Sequence, residues 1–482
     1  MKRALLVVLL WCCVASVAGA QESASIQGVV RDAVTDDPLP LANVTLENAG
    51  RGTSTDATGR FAIPGLSSGA YTLVISYIGY RVFRERISLS PGEQRQLSVA
   101  LQPSEVQINE VTVTGERTGE SARSLGVTQL TPEQVQNLPT VLEADVFRSL
   151  QLLPGVKAAS DFSSGLYIRG GSPDQTLVLL DRAPVYNPTH VFGFFSAFNP
   201  DAIGDVQLYK GGFPVEYGGR LGSVVDLENR AGSRNDTEGS VSLGLLASRA
   251  QVQGPYAKGT WMLAVRRSTI EPLLAVLNNS GVDDIPRGFA FYDINGQVTY
   301  RLGTRDRLAL SVYGGRDQLD YPLFEDARFD VTYGNRALSA DWRHLFSDSF
   351  FTRATVTTSH YFSDPVADIS GTEFARENDV FDASAKVDAV WQLHSAHTLE
   401  GGVQAGTFTT NLRNFFDGDP TYSPRIQTPY GSAYLQDTFR PTSDWWVRGG
   451  VRVNYFAAGG HWRVAPRLSV EHRLTDWARL QT

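Results

Sequence analysis

The sequence predicts a mainly β protein that combines a small N-terminal β-sandwich, a compact α/β unit and part of a transmembrane antiparallel β-barrel. Three observations lead to this prediction. Short alternating segments follow one another at regular spacing in residues 21–102, paired glycines interrupt short strands in residues 127–230, and long alternating segments fill residues 231–482. Alternation with a period of two indicates strands, and a glycine pair indicates a tight turn.

The first 20 residues have the layout of a secretory signal peptide. Lys2 and Arg3 precede an apolar run over residues 4–17, and Ala18-Gly19-Ala20 forms a small-residue cleavage site. The apolar run is shorter than the roughly 20 residues that a membrane-spanning helix needs. We therefore expect an exported chain whose only possible membrane-spanning elements are strands.

Composition and cysteine usage exclude several classes of protein. A length of 482 residues predicts about three domains. The net charge of −8 argues against a nucleic-acid partner, which would need a basic face. The only two cysteines, Cys12 and Cys13, lie inside the predicted signal peptide. The mature chain is therefore expected to have no disulfide, no thiolate metal site and no cysteine nucleophile.

Residues 21–102 predict the sandwich, because alternating runs such as IQGVV and AYTLVISYIGY are separated by turn residues such as Asp56, Gly59 and Pro91-Gly92. The pattern resembles the carboxypeptidase-regulatory-like domain, a transthyretin-type sandwich with a carbohydrate-binding-like fold. The matching positions are residues 28–32, 40–44, 55–56, 59–61, 69–71 and 79–80. The resemblance leaves two roles open, a structural accessory and a glycan binder, and the first is favoured because a fold name does not establish a ligand.

Residues 103–126 form a polar linker that contains one extended patch. Glu110, Val111, Thr112 and Val113 are the centre of this patch. An alternating run in a flexible segment suits pairing with the exposed sheet edge of a partner protein. A simple connector strand explains the same residues equally well.

Residues 127–230 predict two helices and an aromatic loop. Thr131 and Pro132 have the types expected at a helix start, and Thr140 with Glu143 predicts a second helix that ends before Pro154-Gly155. The loop at residues 186–200 contains four phenylalanines. It belongs either to the core or to a surface that touches the barrel wall or a ligand, and burial is favoured.

The order of the glycine pairs and strands in this unit carries a second resemblance. The unit contains, in sequence order, Ile168, Arg169, Gly170 and Gly171, then Leu179, Leu180 and Asp181, then Lys210 and Gly211, then Tyr217, Gly218 and Gly219, and Gly222. This order resembles the plug domain of TonB-dependent outer-membrane receptors. Arg182-Ala183 stands where a hairpin glycine is common in that family, so the type of this turn is left open.

The resemblance implies the partners and the placement of the chain. In that family the segment before the plug pairs with the periplasmic energy-coupling protein TonB, and here residues 110–113 occupy that place. The resemblance also implies outer-membrane lipid and an unknown extracellular ligand as further partners. Arg169, Asp181 and Lys210 are expected to make ion pairs within the plug or with the barrel.

Residues 231–482 alternate as strands with one apolar and one polar face. From residue 381 to 393 every odd position is apolar, and all even positions except Val390 are polar. We expect Lys386, Asp388, Arg448 and Arg452 to face a wet interior. Strands of about 9–15 residues, short turns at one end and longer charged loops at the other are the layout of outer-membrane barrels.

About twelve strands are predicted before Thr482. A barrel that encloses a plug of this size has about 22 strands. We therefore expect the sequence to be the front part of a receptor, and a complete twelve-stranded barrel is the alternative.

The sequence gives little support for an enzyme. His397 and Glu400 have the spacing of a zinc-binding pair, but they fall at the start of an alternating strand and are expected to point to opposite faces. We predict no catalytic residue, cofactor or metal site. The function expected from the resemblance is active uptake of a siderophore, vitamin, oligosaccharide or peptide into the periplasm. A binding or signalling receptor without transport and a secreted carbohydrate-binding β-protein are the alternatives.

Overall fold

The structure is a computed structural model. It describes residues 24–33, 36–40, 42–46, 51–56, 58–77, 80, 82–102, 127–137, 143–160, 163–281, 285–324, 326–347, 349–394, 396–442, 444–475 and 478–481. The predicted signal peptide, the patch at residues 110–113, Gly79 and the predicted helix start at Thr140 lie outside these residues. Among the described helices, none has the length and apolar character needed to cross a membrane.

The N-terminal domain is a β-sandwich, as predicted, and it forms a compact unit of its own within residues 1–116. One sheet has the order β4-β1-β7 and the other the order β3-β2-β5-β6. Alternate side chains of both sheets, including Ile26, Val44, Leu73 and Val99, are buried between them. The strands are β1 (Ala24–Asp32), β2 (Asn43–Leu46), β3 (Arg51–Ser54), β4 (Arg60–Leu66), β5 (Gly69–Ser76), β6 (Phe83–Leu89) and β7 (Gln94–Leu101).

The α/β unit that follows, which we call the central domain, is organised around a five-stranded mixed sheet with the order β12-β11-β16-β15-β8. Phe147, Leu150, Phe198 and Leu208 are among the side chains of its apolar core. Its strands are β8 (Val127–Leu130), β9 (Val156–Lys157), β10 (Tyr167–Ile168), β11 (Thr176–Leu180), β12 (Ala183–Pro184), β13 (Thr189–His190), β14 (Phe195–Ser196), β15 (Ile203–Tyr209) and β16 (Ser223–Asn229). Its helices are α1 (Pro132–Asn137) and α2 (Val146–Gln151), and two 3₁₀ turns lie at Pro173–Gln175 and Val191–Gly193.

The first predicted helix start, at Thr131, is confirmed, whereas the second, at Thr140, lies outside the described residues. At α1 the Thr131 hydroxyl accepts from the Gln134 amide, and the Gln134 side chain accepts from the Thr131 amide. Helix α2 begins at Val146, because Asp145 is its cap and accepts a hydrogen bond of 2.9 Å from the Arg148 amide. The second oxygen of Asp145 accepts from the Ser196 amide, so this cap also ties the helix to β14. A carboxylate that accepts from two backbone amides makes a strong helix cap.

The hairpin between β11 and β12 turns through two residues in the left-handed region, Asp181 at φ 47° and Arg182 at φ 71°. Two successive positive φ values are typical of a type I′ turn, in which glycine or asparagine is preferred. The turn that the sequence left open therefore has the φ values of a type I′ turn, although neither of its central residues is glycine. Arg182 adopts this backbone while its side chain makes contacts described below.

Among the described residues from 238 onwards, fourteen strands form one antiparallel sheet, which we call the wall. Thirteen strands follow in chain order from β17 to β30, and the short β26 pairs only with β25. Helix α3 (Glu271–Asn279) lies between β19 and β20. The strands are β17 (Glu238–Leu243), β18 (Ala247–Tyr256), β19 (Gly259–Ser268), β20 (Gly288–Leu302), β21 (Asp306–Phe324), β22 (Ala327–Ser347), β23 (Phe350–Ile369), β24 (Thr372–His394), β25 (His397–Phe416), β26 (Asp419–Tyr422), β27 (Arg425–Phe439), β28 (Trp445–Phe456), β29 (His461–Arg473) and β30 (Arg479–Gln481).

The longer wall strands exceed the predicted length, and the predicted long charged loops are wrong. β24 has 23 residues, and β21 and β22 stay paired as far as Phe324 and Ala327. The same holds for the β23–β24 hairpin, which is paired as far as Ile369 and Thr372. The sequence predicts strands only as far as apolar and polar residues alternate, and both faces are polar beyond that point. Backbone hydrogen bonds do not require an apolar face, so the strands continue there.

The alternation of the wall is as predicted. Phe381, Val387 and Trp391 of β24 are exposed on one face. The intervening Asp382 and Asp388 are buried on the other face, which is turned towards the central domain. The predicted short connections lie at one end of these strands, as between Leu302 and Asp306.

Candidate functional site

The candidate site is the contact between the central domain and the polar face of the wall. Its main element is a segment at residues 181–193, which we call the strap. Arg182, Tyr186 and His190 occur at every fourth position of the strap, and the side chain of each one reaches aspartate on the wall. A single segment is thereby fixed to β24, β20 and β21.

Arg182 forms the first of these contacts. Its guanidinium donates to the carboxylate of Asp388, and both side chains are largely buried. Asp388 also accepts from the hydroxyl of Tyr434 and lies 3.2 Å from Lys386. Glu216 of the central domain lies 3.8 Å from Arg182 and 3.5 Å from Lys386. The charges alternate in sign, so none of these buried ions lacks a counter-ion.

Tyr186 forms the second contact through its hydroxyl, which donates to Asp382 at 2.6 Å. The other oxygen of Asp382 accepts from Tyr430 of the wall at 2.8 Å. The ring of Tyr186 packs against Phe408, with 5.9 Å between the ring centroids. This contact combines an apolar ring with two hydrogen bonds to one charged acceptor, which are stronger than bonds between neutral groups.

His190 forms the third contact and is the most deeply buried of the three. Its Nε2 lies 2.6 Å from Asp293 and its Nδ1 lies 2.5 Å from Asp317. Arg266 donates to the second oxygen of Asp293 at 2.5 Å. Burial alone would lower the pKa of His190, but the carboxylates of Asp293 and Asp317 raise it to about 9. The imidazole is therefore protonated at neutral pH and donates to both aspartates.

The residues after His190 have an unusual backbone. Val191 and Phe192 are non-glycine residues at φ 53° and 52°, and Gly193 follows at φ 98°. The wall holds this shape, because the amide of Val191 donates to Asp317 and the amide of Phe192 donates to Tyr333. Such strained conformations persist where their surroundings determine them, and they are found often at functional sites.

The predicted burial of the aromatic loop is confirmed for part of it. Phe195 and Phe198 are buried in two apolar clusters. Phe192 is 62% exposed, and its ring lies 5.5 Å from that of Tyr333. The left-handed backbone accounts for this difference, because it turns Phe192 away from the core that its neighbours enter.

A second line of contact runs along residues 213–217. Arg452 of the wall donates to the carbonyl of Glu216 at 2.8 Å, and Arg467 donates to the carbonyl of Tyr217 at 3.0 Å. The Gly218 backbone lies so close to Arg452 that a Cβ atom there would come within 2.4 Å of Nε. A larger residue at position 218 would therefore displace the side chain of Arg452 from its bond to Glu216.

Two glycines of β25 allow the wall tyrosines to reach their aspartates. A Cβ atom on Gly402 would lie 2.6 Å from the hydroxyl of Tyr434, and one on Gly406 would lie 2.6 Å from the ring of Tyr430. Because these positions have no side chain, the hydroxyl of Tyr430 reaches Asp382 and that of Tyr434 reaches Asp388. This role could not be predicted from the sequence, since a glycine within a strand usually weakens the strand.

The structure corrects the ion pairs expected for the signature residues. Asp181 accepts from the amide and side chain of Asn229 and from Ser311 of the wall, which are neutral donors. Lys210 donates to the carbonyl of Pro154. Burial and the positive charge of the nearby Arg169 lower the pKa of Lys210. Asp181 and Lys210 are thus held by neutral groups rather than by ions of opposite charge.

The remaining signature residues serve the central domain itself. The hydroxyl of Tyr217 donates to Asp226 at 2.7 Å, and Ile168 is buried in the core. Gly170, Gly211 and Gly219 have positive φ. A Cβ on Gly171 or Gly222 would lie against Gln175. Glu110, Val111, Thr112 and Val113 are outside the described residues.

The sequence analysis missed the strap but identified part of its counterpart. Lys386, Asp388 and Arg452 were expected on the inner face of the wall, and each of them contacts the central domain. Arg448 lies over the ring of Trp446 at 4.3 Å. Asp293, Asp317 and Asp382 could have been found as acidic residues at inward positions of alternating strands. The spacing of four between Arg182, Tyr186 and His190 could not be interpreted from the sequence, because their partners are aspartates on distant strands of the wall.

The predicted opposite orientation of His397 and Glu400 is confirmed. His397 bonds to Asp437 on the outer face, and Glu400 accepts from the buried Gln436 on the inner face. Within the described part of the chain, no group of three or more His, Cys, Asp or Glu side chains could hold a metal ion. The site combines the polar contacts of the strap with an apolar cluster in which Phe195 packs with Phe289 and Phe291 of the wall.

Three family models match the chain in succession. They are a CarboxypepD_reg-like domain at residues 26–113, a TonB-dependent Receptor Plug Domain at residues 120–224 and a TonB dependent receptor-like, beta-barrel at residues 274–482.

Curated proteins and solved structures resemble the chain at lower identity. The vitamin B12 transporter BtuB of Photobacterium profundum is 22% identical over 363 residues, which are 72% of this chain and 57% of the transporter. The ferric enterobactin receptor PirA of Pseudomonas aeruginosa is 26% identical over 170 residues, 32% of this chain and 22% of the receptor. A mutant of the ferric enterobactin receptor PfeA of Pseudomonas aeruginosa has the same fold, with a TM-score of 0.57 at 15% identity over 75% of this chain and 62% of that one. The outer membrane transporter YddB of Escherichia coli gives a TM-score of 0.56 at 15% identity over 73% of this chain and 59% of that one. The chain therefore spans about three fifths of the length of these two structures.

Proposed function

Because the chain belongs to the TonB-dependent receptor family and carries an N-terminal carboxypeptidase-regulatory-like domain, we propose that it takes up a scarce ligand across the outer membrane into the periplasm. The ligand class is a siderophore, a vitamin, an oligosaccharide or a peptide. The vitamin B12 transporter and the ferric enterobactin receptors to which the chain is similar support the first two classes. The reaction is transport, and no catalytic residue or cofactor takes part in it.

The observation that carries the proposal is the polar attachment of the central domain to the wall. A domain that must block a wide pore and then move needs contacts that are specific but can be exchanged for water. The contacts of Arg182, Tyr186 and Asp181 with the wall are ion pairs and hydrogen bonds. Such contacts lose little net free energy when water replaces them, whereas the smaller apolar contact of Phe195 with Phe289 and Phe291 of the wall must give up buried surface when the domain moves.

The proposal assigns force generation to a partner protein. TonB in the periplasm pairs with the segment around Glu110, Val111, Thr112 and Val113 and pulls on the central domain. Main-chain pairing of an extended segment provides the necessary attachment. The plug signature, which includes Arg169, Lys210 and Gly218, keeps the central domain folded between transport cycles. We propose domain boundaries at residues 21–102, 103–126, 127–230 and 231–482.

Uptake by cells that carry the intact chain or a chain without residues 105–115 tests the proposal. We expect energy-dependent accumulation of the ligand in the periplasm with the intact chain and none with the deletion. Equal uptake by both chains contradicts the coupling to TonB. Binding at the cell surface without uptake by either chain supports a receptor that does not transport. A mature chain that stays soluble after membranes are sedimented supports a secreted carbohydrate-binding protein.

A further inference from the structure

The wall has a distinctive set of side chains at the end that holds the predicted short connections, such as residues 303–305 between β20 and β21, which we call the lower rim. Imidazole, carboxylate and aromatic groups meet there on the outer face, the face that points away from the central domain. Trp342 and Phe346 on β22 are 44% and 52% exposed on this face. Aromatic residues at this level are usual in membrane barrels, but paired histidines and aspartates are not part of that pattern.

The first such cluster joins β21 and β22. Asp306 accepts hydrogen bonds from His344 Nδ1 at 2.7 Å and from Trp342 Nε1 at 2.8 Å. The ring of Phe346 packs edge-on against His344, with 4.3 Å between the centroids. The side chains of Asp306 and His344 are about one quarter exposed.

The second cluster repeats this chemistry on β25 and β27. His397 Nδ1 bonds to Asp437 at 2.8 Å, and its ring stacks on Phe439 at 4.4 Å. The side chains of His397 and Asp437 are more than one third exposed. Two separate strand pairs thus present the same three groups at the same end of the sheet.

The hydrogen bonds determine what each cluster can bind. In each cluster a carboxylate accepts from Nδ1 of the histidine, and an aromatic ring lies beside the pair. The cluster therefore presents a partly exposed carboxylate next to a ring face or edge. A cation with N–H donors suits this pair of groups, because it is attracted by the carboxylate, donates to its oxygen and can contact the ring.

We propose that the two clusters bind the ammonium groups of phosphatidylethanolamine. The inference rests on the proposed function, because it requires the wall to lie in a bilayer. Leu308 and Leu435, each two residues further into the sheet than the aspartates, are exposed and mark the edge of the apolar band. Asp306 and Asp437 therefore lie at the level of the lipid head groups, in the leaflet that the short periplasmic turns enter.

A third pair on the lower rim provides a matched control. Trp445 and His472 stack at 3.9 Å, but the carboxylate of Asp444 accepts two hydrogen bonds from Arg473 at 2.7 and 3.0 Å. The positive charge of Arg473 offsets the negative charge at this position. We do not expect this pair to select an ammonium group.

Lipid retention in nanodiscs tests the proposal. The full mature chain is placed in nanodiscs of equal parts phosphatidylethanolamine and phosphatidylglycerol, then released into mild detergent, and the retained lipids are counted by native mass spectrometry. We expect the retained lipids to contain phosphatidylethanolamine at a ratio to phosphatidylglycerol about fivefold above that of the nanodisc. This is the effect expected of one cation–π contact and one exposed ion pair at each site. The D306N/D437N variant should lose this enrichment, and D444N should keep it.

Replacement of phosphatidylethanolamine by phosphatidylcholine separates the hydrogen bond from the ring contact, since a quaternary ammonium has no N–H. We expect retention of phosphatidylcholine to be lower. Equal retention in D306N/D437N and the unaltered chain overturns the proposal, and so does enrichment of phosphatidylglycerol. Heat-modifiable migration in gels confirms that each variant is folded. A chain that does not enter nanodiscs contradicts the proposed function itself. Incorporation is measured separately from lipid retention, so the two failures can be told apart.

Discussion

The Nε2 atom of His190 in the central domain lies 2.6 Å from Oδ1 of Asp293 in the wall, and both side chains are buried. Asp317 on the next strand holds the other ring nitrogen at 2.5 Å. One side chain of the central domain therefore bridges two strands of the wall at a place without access to water. The cost of burying this triad is offset only while all three members are present.

Replacement of His190 by alanine should release the strap from the wall. The change leaves Asp293 and Asp317 without their shared cation, and breaking a buried charged contact costs about 3–5 kcal/mol. We expect amide hydrogen exchange of the strap to become about 100-fold faster or more, since local opening then requires less free energy. Mass spectrometry of peptides from residues 181–193 measures this change.

The surrounding sheet provides the control for this variant. Exchange in the paired strands β23 and β24 should stay as it is in the unaltered chain. Unchanged exchange in the strap would show that the His190 triad does not hold it.

The attachment of the strap should weaken as the pH rises. The neighbouring aspartates raise the pKa of His190 to about 9 against an ordinary value of 6.5, so its stabilising effect is complete below pH 6.5 and is lost as the pH passes through about 9. Burial raises the pKa of Asp226 from its ordinary value of 3.8 to about 7. The folded state therefore also loses stability through Asp226 as the pH rises from about 3.8 to about 7. Hydrogen exchange of the strap, corrected for the intrinsic pH dependence, should therefore accelerate from pH 6.5 to 9. In H190A the acceleration between pH 7.5 and 9 should be absent, and its persistence there counts against the assignment to His190.

The ion pair between Arg182 and Asp388 should show strong coupling. Both side chains are largely buried, so a double-mutant cycle of R182Q and D388N should give a coupling free energy of about 1.5–3 kcal/mol. The exposed pair of Arg328 and Asp320 is the control and should give less than about 1 kcal/mol. Urea unfolding in lipid vesicles measures both. Equal coupling in the two pairs contradicts the role assigned to burial.

Substitution of Gly406 by alanine should destabilise the wall. The added Cβ would lie 2.6 Å from the ring of Tyr430 and 2.7 Å from the carbonyl of Ala383, so the tyrosine must leave Asp382 or the strands must separate. We expect a loss of about 1–3 kcal/mol, the usual cost of overpacking. The control is G431A, where the nearest atom lies at 3.6 Å. The midpoint of urea unfolding compares the two variants, and an equal midpoint would show that Tyr430 adapts without cost.

Much of the fold could be predicted from sequence because it follows local rules. Alternation placed Phe381 and Val387 on one face and Asp382 and Asp388 on the other, since a strand has a period of two. Turn residues separated the strands of the sandwich. The strand ends were predicted less well, because β21–β24 remain paired where their side chains no longer alternate.

The candidate site depended on contacts that local rules do not contain. Arg182 and Asp388 are 206 positions apart, and only the three-dimensional arrangement brings them together. The cap of α2 depends on such a contact as well, because Asp145 gains its second partner from Ser196, which is 51 positions away. Lys210 was expected to form an ion pair but bonds to a carbonyl of a neighbouring loop, and that loop conformation cannot be read from the glycines alone.

Site-directed spin labelling along β24 tests the central claim most directly, namely that one face of the wall touches lipid and the other faces a polar interior filled by the central domain. Single cysteines at residues 381–393, introduced into the mature chain in lipid vesicles, report the accessibility of each position to dissolved oxygen. We predict high oxygen accessibility at odd positions such as 381, 387 and 391 and low accessibility at 382 and 388. Uniform accessibility, or odd positions that are shielded from oxygen because they pack against one another, would contradict the account.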